Sequence, residues 1–196
     1  MNPTNYRPRS LLTSFSKVLE KALYIRLTEH FSSIKLLVGN QSGFRKDIAT
    51  EYAIFKVTNE ILNALNKTMA GSKFCDLEKA LDSVNDDTLL SKLSHYWIRG
   101  KAKILLEFYL QNRYQRVQTI NLYLNSNTLQ EWTKIRYGVP LGSIFVPLLF
   151  LVYINDSPKA TEYKTISILF ADDTRILITS PNNIQFRSDL NIVLDN

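Results

Sequence analysis

Cysteine and histidine are scarce in this chain of 196 residues. A single cysteine, Cys75, excludes an internal disulfide framework and is typical of a reducing compartment. The two histidines, His30 and His95, have no metal-ligand spacing with each other or with Cys75, so structural roles are expected for all three. The chain also lacks an internal repeat, a low-complexity tract or a clear linker, and we expect one domain over residues 1–196.

Long apolar segments are missing as well. The N-terminus lacks the apolar core of a signal peptide. The longest apolar run, residues 144–154, is interrupted by Pro147 and is too short to span a bilayer, so we interpret it as a buried helix. These absences predict an intracellular protein without membrane association, in the nucleus or the cytoplasm.

The residues that are present suit a folded, basic domain. Hydrophobic residues make up 45% of the chain, enough to bury a core, and the 21% of charged residues argues against wholesale disorder. The net charge of +6 favours an anionic partner, and nucleic acid or nucleotide phosphate fits best, although many ordinary proteins carry such a charge.

Two adjacent aspartates, Asp172 and Asp173, lie between the apolar runs of residues 167–178. This pattern is typical of a β-hairpin with the carboxylates at its tip. Taken alone, the pair is most simply explained as an ordinary polar turn. A third carboxylate, Asp76, favours a site, because an aspartate among strand-forming residues is costly to bury without a partner.

An antiparallel sheet with the Asp76 strand beside the hairpin would bring the three carboxylates together. Mg²⁺ prefers hard oxygen ligands and retains water, so a few carboxylates and substrate phosphates would hold it. Two such ions about 4 Å apart can activate a hydroxyl and stabilise a leaving oxygen. With no histidine nearby as a base, the sequence predicts phosphoryl transfer by positioning and metal electrostatics.

Helical periodicity predicts several further elements. Thr13 or Ser14 is expected to cap a helix that ends near Phe31, with Glu20 outside its core-facing stripe. That stripe consists of the apolar residues at helical spacing, namely Phe15, Val18, Leu19, Ala22, Leu23 and Leu27. Further helices are predicted at about residues 48–66 and after a cap at Asp86, and a final amphipathic segment is predicted over residues 182–195.

Two glycine-containing loops are candidates for ligand contact. Arg45 in the loop of residues 39–46 could bind a phosphate through bidentate contacts, or be an ordinary solvated arginine. Gly142 and Ser143 could let a backbone approach a ligand closely, or simply start the following helix.

Five motifs, in this order and spacing, resemble those of reverse transcriptases, and more narrowly those of the Jockey-like group of non-long-terminal-repeat retrotransposons. The motifs are Asn5-Tyr6-Arg7-Pro8 with Ser10-Leu11-Leu12, Gly43-Phe44-Arg45, Asp76-Leu77-Glu78-Lys79-Ala80-Leu81-Asp82, Gly138-Val139-Pro140-Leu141-Gly142-Ser143, and Phe170-Ala171-Asp172-Asp173. The resemblance covers essentially the whole chain.

The resemblance implies an α+β fold of right-hand polymerase type, with helices packed on an antiparallel sheet. Residues 1–70 would be mainly fingers, and residues 71–196 mainly an incomplete palm without a thumb. It also implies an RNA-directed DNA polymerase that adds dNTPs to a DNA primer on an RNA template, with Mg²⁺ as cofactor or Mn²⁺ in its place. A partner chain could supply the missing thumb.

The resemblance assigns roles position by position. Asp76, Asp172 and Asp173 match the catalytic metal ligands, and the backbone carbonyl of Leu77 would be a further ligand. The residues that match substrate-binding positions are Arg45, Leu77, Leu81, Leu141, Gly142 and Ser143. Asp82 matches an aspartate that is not a metal ligand in the family, and we expect it to be structural.

Three residues near the implied nucleotide pocket depart from the family pattern. Leu81 stands where an aromatic ring normally blocks a ribose 2′-hydroxyl, Leu141 replaces a glutamine, and Val146 replaces a glycine. With the absent thumb, they favour a second hypothesis, a decayed retrotransposon fragment that at most binds nucleic acid weakly. A metal-dependent nuclease is a third alternative, disfavoured because the flanking motifs follow the polymerase pattern.

Overall fold

The computed structural model describes residues 10–45, 48–65, 69–76, 79–111, 113–121, 126–135, 137–160 and 165–195. The first motif, apart from Ser10 to Leu12, lies outside the described residues, as do Leu77 and Glu78. The helices are α1 (Ser14–Ser33), α2 (Thr50–Leu65), α3 (Asp86–His95), α4 (Gly100–Leu110), α5 (Val146–Tyr153), α6 (Ser157–Ala160) and α7 (Asn183–Asp195). The strands are β1 (Met69–Asp76), β2 (Tyr114–Gln115), β3 (Gln118–Asn121), β4 (Ser126–Leu129), β5 (Thr133–Lys134), β6 (Thr165–Phe170) and β7 (Asp173–Ser180).

The main sheet has three antiparallel strands in the order β1-β7-β6. In the central strand β7, buried and exposed residues do not alternate at Ile176, Leu177 and Ile178, which are all buried. Such a run is expected for a strand covered on both faces. The strands β2 and β5 form one small antiparallel pair, and β3 and β4 form another. The predicted α+β class, with helices packed on an antiparallel sheet, is confirmed.

The core lies around α5, which the sequence predicted as a buried helix. Val146 and residues 148–152 are buried. All of them except Leu151 pack in one cluster with Leu89 and Leu93 of α3 and with Leu106 of α4. Pro147 is the second residue of α5, where it interrupts no helical hydrogen bond. Among the described residues, none of the helices combines the length and the apolar character needed to cross a bilayer.

The predicted core-facing stripe of α1 is wrong in its first half. Phe15 is 89% exposed and Val18 is 70% exposed, whereas Glu20 is only 1% exposed. The buried face instead follows Glu20, Leu27 and Phe31, at intervals of seven and four residues. A carboxylate can replace an apolar residue on this face because α4 and the loop before α5 supply hydrogen-bond donors to it. The helix itself and its Thr13 cap are confirmed.

The predicted cap of α3 is also corrected. Asn85, not Asp86, is the N-cap, and its Oδ1 accepts a hydrogen bond from the Thr88 amide over 2.9 Å. Asp86 is the first helical residue, and its Oδ1 lies 3.5 Å from Arg113 Nη2. Asparagine and aspartate are both good N-caps. Here Asn85 takes the cap position, and the Asp86 carboxylate contacts Arg113 instead.

Candidate active site

The predicted hairpin with two aspartates at its tip is confirmed. Phe170 and Asp173 are register partners at the ends of β6 and β7, so Ala171 and Asp172 form a two-residue turn. Ala171 has a positive φ of 54°, a conformation that two-residue hairpin turns require at one or both central positions. Asp172 is half-buried and Asp173 is exposed.

The strand β1 places Asp76 beside this tip. Its backbone is the register partner of Asp173 at the last pair of the β1–β7 ladder. Directly opposed residues in an antiparallel pair have Cα atoms about 4.5–5.5 Å apart. Asp76 and Asp173, which are far apart in the sequence, thus lie side by side at one end of the sheet. This is the antiparallel arrangement that the sequence predicted.

The donor set at this tip suits a hard divalent cation. Within the described part of the chain, the Asp172 and Asp173 carboxylates take part in no ion pair. No group of three metal-binding side chains is complete among the described residues. The candidate centre therefore consists of Asp172 and Asp173, with the Asp76 backbone next to them, and oxygen donors of this kind fit Mg²⁺ or Mn²⁺.

The loop of residues 38–45 packs directly against the hairpin. The Ser42 amide donates to the Leu169 carbonyl over 2.9 Å, and the Leu169 amide donates to the Asn40 carbonyl over 2.9 Å. Gln41 and Leu169 form an isolated parallel bridge, so the loop extends the sheet at the β6 edge. A Cβ atom on Gly43 would lie 1.9 Å from the Ala171 nitrogen, and only glycine permits this approach.

Arg45, a predicted substrate-binding residue, makes its observed contacts within this loop. Its Nη1 donates to the Val38 carbonyl over 3.0 Å and to the Gln41 carbonyl over 3.3 Å. The side chain is half-buried. These contacts brace the loop, and a role of Arg45 in binding template or triphosphate stays a prediction.

A second loop, residues 138–145, is joined to the turn that follows β1. The Gly138 amide donates to Val84 over 2.8 Å, and the Val139 amide donates to Leu81 over 2.9 Å, carbonyl oxygens being the acceptors. Gly138 has a φ of +87°, and a Cβ on it would lie 2.6 Å from the Asp82 carbonyl oxygen. The structure thus brings Leu81 next to the loop that contains the other predicted pocket residues, and Asp82 contributes backbone to that contact.

The remaining predicted pocket residues have the following places. The Leu141 carbonyl accepts a hydrogen bond from the Ser10 amide over 2.8 Å, and Gly142 has a φ of +108°. Ser143 is buried, and its Oγ accepts from the Phe145 amide and lies 3.0 Å from Tyr109 Oη. The observed contacts of the Ser143 hydroxyl are therefore internal and lead into α5.

Two residues that the sequence did not predict as part of the site, Glu20 and Tyr109, hold this loop through hydrogen bonds. Glu20 Oε1 accepts a hydrogen bond from Tyr109 Oη over 2.7 Å, and Oε2 accepts from the Ile144 amide over 3.0 Å. Burial, more than the added contact with Glu20, places the pKa of Tyr109 above its usual 10.0, so the phenol keeps its proton and donates. Spacing offered no signal for Glu20, because a charged residue in a helix ordinarily faces solvent.

Comparison with known proteins extends these observations. A family model described as reverse transcriptase (RNA-dependent DNA polymerase) matches residues 2–196. The chain is 32% identical over 186 residues to the probable RNA-directed DNA polymerase from transposon BS of Drosophila melanogaster, covering 91% of this chain and 20% of that protein. It is 30% identical over 198 residues to the RNA-directed DNA polymerase from mobile element jockey of the same fly, covering 97% and 21%. The chain thus spans about one fifth of the length of these curated relatives.

Solved structures show the same fold at much lower identity. Apo telomerase from Candida tropicalis matches with a TM-score of 0.54 and 11% identity over 92% of this chain and 34% of that one. The same enzyme with a TWJ fragment of telomeric RNA gives 0.55 and 12%, over 90% and 30%. The expected fold and the narrower resemblance to Jockey-like elements are confirmed. Matched by the family model over nearly its whole length, the chain belongs to the reverse transcriptase (RNA-dependent DNA polymerase) family.

Proposed function

We propose that this chain contributes the catalytic centre of an RNA-directed DNA polymerase, adding dNTPs to the 3′-hydroxyl of a DNA primer on an RNA template. The observation that carries the proposal is the backbone register of Asp76 and Asp173 at the tip where Asp172 turns the hairpin. The +6 net charge supports a nucleic-acid partner, and the names of the fly relatives support the reaction.

The divalent cations, Mg²⁺ or Mn²⁺, would be held by the carboxylates of Asp76, Asp172 and Asp173. The backbone carbonyl of Leu77 would be a further ligand. Like charges at directly opposed strand positions destabilise a sheet, so an aspartate pair at the end of the β1–β7 ladder is expected to gain from a cation. When bound, such cations would neutralise charge on the transferred phosphoryl group and make the 3′-hydroxyl a better nucleophile.

The neighbouring loops would position the substrates. We assign the incoming nucleotide to the surface formed by Leu81 and the loop of Leu141, Gly142 and Ser143, because the Val139–Leu81 hydrogen bond joins these elements. Leu81 would limit space at the sugar and Leu141 would make apolar contact only. Arg45 would bring positive charge to the template or the triphosphate. Residues 1–70 would then act mainly as fingers and residues 71–196 mainly as palm.

Primer extension on an RNA template tests the proposal. The wild-type chain is compared with Asp172→Asn and Asp173→Asn in the presence of Mg²⁺. Loss of a group that stabilises charge in the transition state costs about 10²–10³ in rate, so both variants are expected to lose at least that factor. Asp87→Asn is the matched control, since Asp87 is an exposed aspartate in the first turn of α3.

Two results would contradict the proposal. Extension by Asp172→Asn at the wild-type rate would remove the metal mechanism. Binding of nucleic acid by the wild-type chain, without Mg²⁺-dependent incorporation, would instead support the alternative of a decayed element that retains a weak binding surface.

A further inference from the structure

The loop of residues 38–45 has a fixed position relative to the core. Asn155 Oδ1 accepts a hydrogen bond from the Val38 amide over 3.0 Å, and Asn155 Nδ2 donates to the Leu36 carbonyl over 3.1 Å. Asn40 Nδ2 donates to the Ser167 carbonyl over 2.8 Å. These bonds tie the loop to the turn after α5 and to β6, and the two carbonyl contacts of Arg45 close the loop on itself.

The Gln41 side chain joins this loop to the hairpin turn. Its side-chain Oε1 accepts hydrogen bonds from the Gly43 amide over 2.8 Å and from the Ala171 amide over 3.3 Å. Its Nε2 donates to the Ala171 carbonyl over 3.2 Å. Gln41 is only 4% exposed, so these contacts replace the water that a carboxamide would otherwise need.

Ala171 is the residue in the turn whose conformation most needs such support. Its φ of +54° is unfavourable for a residue with a Cβ, by about 1–2 kcal/mol. The peptide groups on both sides of Ala171 fix the direction in which the chain enters Asp172. Gln41 bonds both the amide and the carbonyl of Ala171, and so constrains both peptide groups.

We propose that Gln41 is a positioning residue for the metal-binding turn: through Ala171 it sets the placement of Asp172 and Asp173 relative to Asp76. The inference rests on the proposed polymerase function and deepens it. Among the described residues, the Gln41 side chain hydrogen-bonds Gly43 and Ala171 only, so its proposed contribution lies in geometry. A displacement of about 1 Å in a catalytic group can lower the rate about 10²-fold.

The primary test is Gln41→Met, which keeps the length of the side chain and removes both of its polar atoms. In primer extension by the whole chain, kcat is expected to fall about 10- to 100-fold, with a higher Mg²⁺ concentration for half-maximal rate. The KM for dNTP is expected to stay within about twofold, since substrate contacts are untouched. Gln130→Met is the matched control, because Gln130 is exposed and its recorded bond uses only the backbone amide.

Amide hydrogen exchange measured by NMR separates positioning from general stability. In Gln41→Met, exchange is expected to speed up at Gly43 and Ala171, whose amides lose their acceptor, while β6 and β7 beyond the turn keep their protection. An equal loss of protection along both strands, or a kcat like that of Gln130→Met, would overturn the inference.

Gln41→Glu keeps the inference testable if Gln41→Met does not fold. Glutamate keeps the oxygen that accepts from Gly43 and Ala171 but places a second oxygen against the Ala171 carbonyl. We expect a kcat below that of the wild type; equality with the wild type would overturn the inference.

A separate metal-binding measurement distinguishes the inference from the proposed function. Mn²⁺ is titrated into each chain and followed by paramagnetic broadening of the Asp172 and Asp173 amide signals. If the wild-type chain does not extend primers, the polymerase proposal fails. Weaker Mn²⁺ binding in Gln41→Met would still support Gln41 as the residue that sets the turn, whereas unchanged binding would overturn that too.

Discussion

Tyr109 Oη donates a hydrogen bond to Glu20 Oε1 over 2.7 Å and so joins α4 to α1 next to the loop of residues 138–145. The other carboxylate oxygen of Glu20 accepts from the Ile144 amide over 3.0 Å. A single buried carboxylate thus links two helices to the segment that leads into α5. A buried carboxylate is tolerated only when it is hydrogen-bonded, so replacing Glu20 measures how much these contacts stabilise the fold.

Glu20→Ala is expected to destabilise the protein by about 2–3 kcal/mol, because it leaves the Ile144 amide without its acceptor and takes from the Tyr109 hydroxyl one of its two side-chain partners. The free energy of unfolding in urea measures the loss. Glu29→Ala is the matched control, since Glu29 lies on the exposed side of the same helix, and its effect is expected within about 0.5 kcal/mol. Equal effects of the two variants would contradict a special role for the Glu20 contacts.

Gly43→Ala is expected to displace the hairpin that contains Asp172 and Asp173. A Cβ there would meet the Ala171 nitrogen at 1.9 Å and the Phe170 carbonyl carbon at 2.8 Å, so backbone must shift. We expect a lower melting temperature and a loss of primer extension of about tenfold or more. Gly39→Ala, in the same loop but with nothing within 4 Å of its added Cβ, should leave both properties nearly unchanged. Wild-type behaviour of Gly43→Ala would exclude the close packing of loop and turn.

Asp86→Asn is expected to change stability in a pH-dependent way. Burial is the largest cause that raises the pKa of Asp86 above 3.8, while the nearby Arg113 lowers it. Because the folded pKa exceeds the unfolded one, the stabilising contribution of Asp86 is complete below about pH 3.8 and is lost as the pH rises through the folded pKa.

The unfolding free energy of Asp86→Asn, relative to that of the wild type, should therefore increase as the pH rises from 3.8 and level off above the folded pKa. Urea unfolding at a series of pH values measures this difference. Asp87→Asn removes a charge from the same helix end, at an exposed position, and controls for the helix dipole. A difference that stays constant across this range would contradict the effect of burial.

Divalent cations are expected to stabilise the wild-type chain. A ligand that binds only the folded state at about 100 times its Kd adds about 2.7 kcal/mol. We expect the melting temperature to rise as Mg²⁺ or Mn²⁺ is added, and Asp173→Asn to abolish the rise. In EDTA, the same variant should be slightly more stable than the wild type, since it removes one of two opposed like charges.

Differential scanning calorimetry with and without the cation provides the measurement, and Asp87→Asn should keep the wild-type response. A cation-induced shift that persists in Asp173→Asn would place the binding elsewhere. This measurement needs no primer, template or nucleotide, so its result is independent of whether the chain polymerises.

The sequence predicted elements whose signals are local. Apolar runs on both sides of Asp172 and Asp173 predicted the hairpin, and the apolar run of residues 144–154 predicted a buried helix. Both are correct because alternation, turn residues and apolar runs depend on neighbours along the chain. The order of the five motifs likewise predicted the family, which the match over residues 2–196 confirms.

Only the tertiary structure decided which polar side chains are internal. The periodicity of α1 predicted Phe15 and Val18 as core and Glu20 as solvent-facing, but the donors to Glu20 come from residues 89 and 124 positions away. Asn85 and Asp86 are equally good caps by sequence, and contact with Arg113 distinguishes them. Gln41 gave no signal, because its partner Ala171 is 130 residues distant.

The sequence by itself determined the family and the α+β class, and it predicted the three aspartates as the candidate site. The chain fold decided that Asp76 and Asp173 are register partners and that Gln41 hydrogen-bonds Ala171 in the turn between β6 and β7. The physical reason is that propensity and periodicity act over a few residues, whereas the partner of a buried polar group is fixed only when distant segments pack.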